Sequence, residues 1–105
     1  MKAPGQAKAT LARIHEIDSR RFLGDIAASD ILIDFQAAVK KAGLTEMQKT
    51  AIALVYIDGH THESAAEHMN VERSTITKAI KSGIQRIDEI YEYWGYLDER
   101  EEQAA

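Results

Sequence analysis

Arg73, Ser74, Thr77 and Lys78 stand at the start of a stretch in which Ile76, Ile80 and Ile84 recur at helical spacing. With those isoleucines turned inward, the four polar side chains turn outward. Their chemistry is recognition, since a guanidinium offers paired N–H donors to the O6 and N7 of guanine, an ammonium does so less directionally, and hydroxyls donate or accept. None of these groups makes or breaks a bond on its own.

Such residues need elements that hold them in place. Thr61 is placed to cap a short helix from His62 to about Met69, and Glu63 lies in its first turn, where the positive end of the helix dipole favours a carboxylate. Ala65, Ala66 and Met69 share one side, and the small side chain of Ala66 suits a close helix crossing. Asn70 follows, a residue that tolerates the left-handed turn, and Val71 is the apolar plug after it. Two short helices around a sharp turn are a helix-turn-helix, whose second helix enters the major groove of DNA. On that reading Arg73, Ser74, Thr77 and Lys78 reach base edges, whereas Thr61 and Lys81 meet phosphate.

The elements upstream form the frame. Thr45-Glu46-Met47-Gln48 is a capping box that starts a helix at Glu46, with Met47, Ala51, Ile52, Val55 and Tyr56 facing inward and Asp58-Gly59 closing it. Before it, a helix beginning near Ser29 or Asp30 carries Ile31, Leu32, Phe35, Ala38, Val39 and Ala42 and ends at Gly43. A first helix from Gln6 bears Leu11, Ile14 and Ile17 on one stripe. Its basic residues Lys8, Arg13, Arg20 and Arg21 suit a solvated face better than an arm that touches phosphate. The last helix runs far beyond the motif through Ile87, Tyr91 and Trp94, so its aromatic end must bury on the N-terminal helices or on another subunit. From Asp98 to Ala105 the chain reads as a frayed acidic tail.

A single proline and abundant alanine, isoleucine, glutamate and lysine favour helix throughout, giving an all-α class. The 105 residues suffice for one compact domain with an N-terminal helical region (1–43), the reader (44–87) and an aromatic, acidic extension (88–105). The absence of cysteine excludes disulfides, thiol catalysis and cysteine-based zinc sites. No apolar run approaches the length of a membrane span, and the start lacks a signal peptide's apolar middle, so a cytoplasmic location is expected. The net charge of −4 is divided unevenly: residues 1–22 and 72–87 each carry +3, whereas 23–71 carry −4 and 88–105 carry −6. Positive charge therefore gathers at the N-terminus and on the second half of the motif.

Other chemistries fit less well. His60, His62 and His68 invite a metal, but HESAAEH puts its second histidine six residues after the first, and Ala66 occupies the position a zinc-protease ligand would need. No phosphate loop, nucleophile elbow or carboxylate pair emerges, and Gly83 within a helix suits close packing rather than phosphate binding. The expectation is a non-enzyme without metal or cofactor. Tyr91, Tyr93, Trp94 and Tyr96 lie in the most acidic part of the chain, which favours a core or interface role over base stacking.

Leu44-Thr45, Tyr56, Gly59, Ala66 and Arg73-Ser74-Thr75-Ile76 together make the segment from Leu44 to Ile87 resemble region 4 of bacterial sigma factors and the stand-alone regulators of that type in phages and prophages. The resemblance implies DNA binding and matches Arg73, Ser74, Thr77 and Lys78 to the family's groove-facing positions. Glu72 departs from it, standing where a serine or threonine cap is usual, and so does the acidic aromatic extension. The reading is a sequence-specific regulator of transcription on double-stranded DNA, acting as a homodimer or higher oligomer. The alternatives are a DNA-packaging subunit like the phage small terminase, and a helical module that docks on RNA polymerase.

Overall fold

The computed structural model describes residues 5–104, with side chains through residue 95. The described residues form helices α1 (Gln6–Ala12), α2 (Ile14–Phe22), α3 (Ile26–Ala42), α4 (Glu46–Ile52), α5 (His62–Met69) and α6 (Arg73–Ala104), with a π-helical turn (Ala53–Ile57) continuing α4. The fold is all-α. Among the described residues no helix is long and apolar enough to cross a membrane.

Helix α6 is the spine, and α1, α3, α4 and α5 all pack along it. Its apolar residues fall at three- and four-residue intervals, so Ile76, Ala79, Ile80 and Ile87 share a buried face against Ala51, Ile52, Leu54, Ala65 and Ala66. Ile76 and Ile87 are fully enclosed, each contributing about 1.5–3 kcal/mol through removal from water. Gly83 lies on the same face. A β-carbon there would come within 2.8 Å of the Ile52 Cδ1, so glycine is what lets α4 approach α6 this closely. Tyr91 and Trp94 pack on the same core and meet edge to face with ring centres 5.6 Å apart, whereas Tyr93 is exposed. Tyr96 has its side chain outside the described residues.

The capping box forms as its residues dictate, with Thr45 Oγ1 accepting from the Gln48 amide and Gln48 Oε1 accepting from the Thr45 amide. Gly43 closes α3 at φ 61°, and Arg86 on α6 donates through Nε to the carbonyl of Ala42, placing a cation at the negative end of α3.

Four local expectations need correction. The first helix is broken at Arg13, because its halves serve different clusters: Ala7 and Leu11 enter the main core, whereas Ile17 packs with Ala28 and Leu32. Helix α3 starts at Ile26 rather than near Ser29 or Asp30, since the Asp25 carboxylate captures the Ala28 amide first. The α4 stripe omits Leu54, which the π turn rotates into the core by adding a residue to the turn. Finally, the tail is helical to Ala104, as its run of glutamate, arginine, glutamine and alanine favours.

Candidate nucleic-acid interface

Helix α5 starts where Thr61 Oγ1 accepts the Ser64 amide, and it ends in a Schellman turn. There Asn70 adopts φ 56°, its amide donates to the Glu67 carbonyl, and the Val71 amide donates to the Ala66 carbonyl. Val71 is half-buried against the core. Two residues later α6 begins, with the Glu72 carbonyl accepting from Thr75 and Ile76. Sequence therefore fixes both helix ends, and the buried Ala65, Ala66 and Ile76 fix how they cross.

With Ile76, Ala79 and Ile80 inward, Arg73, Ser74, Thr77 and Lys78 all lie exposed on the opposite side of α6, and Lys81 continues that side one turn later. Thr61 is exposed at the start of α5. Ser82 and Gln85 are exposed as well, extending the polar face beyond the residues the sequence singles out.

Electrostatics separates this surface from the other basic region. The N-terminal arginines are engaged internally: Arg13 pairs with Glu16 at 3.1 Å, Arg20 with Asp25 at 3.2 Å, and Arg21 with Asp18 at 2.8 Å. Arg13 holds the Glu16 carboxyl below its ordinary range through a hydrogen bond and its charge. Arg73, Lys78 and Lys81 form no ion pair among the described residues, which leaves their charges turned to solvent.

Sequence reading missed one member of the surface. His62 Nδ1 lies 2.9 Å from Thr77 Oγ1, and that hydroxyl also donates to the Arg73 carbonyl at 3.2 Å. A hydroxyl has one proton, so the arrangement that serves both contacts has His62 donating to Thr77. Thr77 is then left with a lone pair and its methyl group for a ligand, a narrower role than a free hydroxyl. The signal was the capped start of α5, which brings residue 62 over the first turn of α6. His60 turns elsewhere, with Nδ1 2.8 Å from Ser64 Oγ and its ring 5.7 Å from that of His68. Among the described residues no three histidine or acidic side chains converge as a metal site.

The family model for sigma-70, region 4, matches residues 42–89. Over this segment the chain is similar to that family. The region 4 unit is a DNA-binding helix-turn-helix domain, and its bounds agree with the geometry: it opens at the last residue of α3 and closes just past the fully buried Ile87. Fewer than half of the residues fall inside it, and helices α1 and α2, most of α3 and the end of α6 lie outside. No curated protein and no solved structure matches the chain.

Proposed function

We propose that the chain is a sequence-specific regulator of transcription that reads double-stranded DNA with the start of α6 in the major groove. The observation that carries the reading is the solvent-facing set Arg73, Ser74, Lys78 and Lys81, free of ion pairs within the described residues, on a region 4 unit. Arg73 and Lys78 serve as donors to guanine edges, Ser74 as a permissive contact, and Thr77 as an acceptor or a methyl contact for thymine. Thr61 and Lys81 flank them as phosphate contacts that set the register. The site binds and does not catalyse, because its groups are donors spaced for base edges. The region 4 likeness makes RNA polymerase the natural second partner, in the cytoplasm.

Selection of bound duplexes from a random pool at fixed salt tests the reading by returning a defined site. In that site Arg73→Ala and Lys78→Ala should each cost about 1–3 kcal/mol and relax preference at single positions, whereas Lys81→Ala should weaken all sequences alike and lower the salt slope by about one. Unchanged specific binding by the Arg73→Ala, Lys78→Ala double variant would remove the groove assignment.

A further inference from the structure

Helix α3 carries large apolar residues on two sides. One side is buried through Ala28, Leu32, Phe35, Ala38 and Ala42. The opposite side carries Ile26, Asp30, Ile33, Ala37 and Lys40, all exposed, with Ile26 at 77% and Ile33 at 62%. Their spacing of four, three, four and three residues is that of a seam between paired helices. A helix that packs by one face alone needs only polar residues there. Beside the first turn of this seam, Phe22 and Leu23 at the end of α2 are 89% and 84% exposed.

The charges on the seam point to its occupant. Its N-terminal half bears Asp30 and its C-terminal half Lys40, and neither forms an ion pair among the described residues. We propose that a second copy of this chain docks on the outward face of α3, the two α3 helices lying antiparallel about a two-fold axis. In the register that sets Asp30 against the partner's Lys40, Ile33 meets the partner's Ala37, and each contact occurs twice, as an isologous interface requires. The same register carries Ile26, Phe22 and Leu23 to the end of the partner's α3. Phe22, Leu23, Ile26 and Ile33 together offer on the order of 500 Å² of side chain. Ala37 and the stems of Asp30 and Lys40 bring the face toward the roughly 800 Å² per partner of a standard interface. The seam leaves the start of α6 untouched, so both readers of the pair remain open to DNA.

Analytical ultracentrifugation of the full chain without DNA tests this, and its outcome does not depend on the groove reading. The wild-type chain should sediment as a dimer. Asp30→Lys and Lys40→Glu should each raise the dimer dissociation constant roughly tenfold or more, because each sets like charges face to face twice. An equal mixture of the two variants should restore the dimer, since lysine at 30 and lysine at 40 of one chain then face glutamate at 40 and aspartate at 30 of the other. Ile33→Glu should give a monomer with unchanged far-ultraviolet circular dichroism. A monomeric wild-type chain, dimers indifferent to these changes, or a mixture that stays monomeric would each overturn the proposal.

Discussion

The backbone amide of Ala7 donates to the Asp88 carboxylate at 2.8 Å, joining the first turn of the chain's first helix to the middle of its last. Helix α1 has seven residues, Gly5 at its N-cap and no side-chain cap of its own. A helix this short does not hold itself in water, so it depends on this contact and on the burial of Ala7 and Leu11. Asp88→Ala should lower stability by about 1–2 kcal/mol in urea unfolding, as loss of a charged cap does. Hydrogen exchange should show faster opening confined to α1, while the helix-turn-helix keeps its protection.

Asn70 provides a second check because its conformation, rather than its contacts, is what the turn needs. At φ 56° a side chain branched at Cβ is strained, so Asn70→Val should cost about 1–2 kcal/mol in chemical denaturation. Asn70→Gly should stay within about half a kcal/mol of the parent, because glycine takes this conformation freely.

Gly83 tests the approach of α4 to α6. Leucine there must displace the Ile52 Cδ1, and behind it stands the Gln48 Cβ at 3.4 Å from the position a β-carbon would take. Overpacking of this kind should cost about 1–3 kcal/mol, read as a fall in the thermal midpoint. Alanine should be milder, since the end of Ile52 can rotate and helix propensity improves by about 0.8–1 kcal/mol.

Tyr91 makes stability depend on alkaline pH. Burial, and then the carboxylates of Asp34 and Asp88, push its phenol from an ordinary value near 10 to about 12. The folded chain therefore holds this proton more tightly than the unfolded one. Its contribution is complete below pH 10 and is lost as pH rises toward 12. Urea midpoints should fall across that window, and Tyr91→Phe should fall less steeply.

The helix-turn-helix was legible because local chemistry writes it: Thr61, Asn70 and the Thr45–Gln48 box each satisfy backbone groups within a few residues of themselves. What sequence did not show was tertiary. The break at Arg13 has no glycine or proline to announce it and exists because two apolar clusters pull the two halves apart. His62 reaches Thr77 across a turn, a contact that exists only once the helices have crossed. The π turn hid Leu54 because a stripe counted at 3.6 residues per turn loses its phase when one turn is wider.

Helix α6 runs without interruption from Arg73 to Ala104, about 48 Å at 1.5 Å per residue. The solvent-facing start of α6 and the shaft that carries the frame are thus a single rod with no joint between them. A tilt imposed on Arg73 at one end is a displacement of Asp88 and Tyr91 further along, with no linker to absorb it. Anything that grips α1 or α3 therefore also holds the rod whose far end carries Arg73 and Lys78.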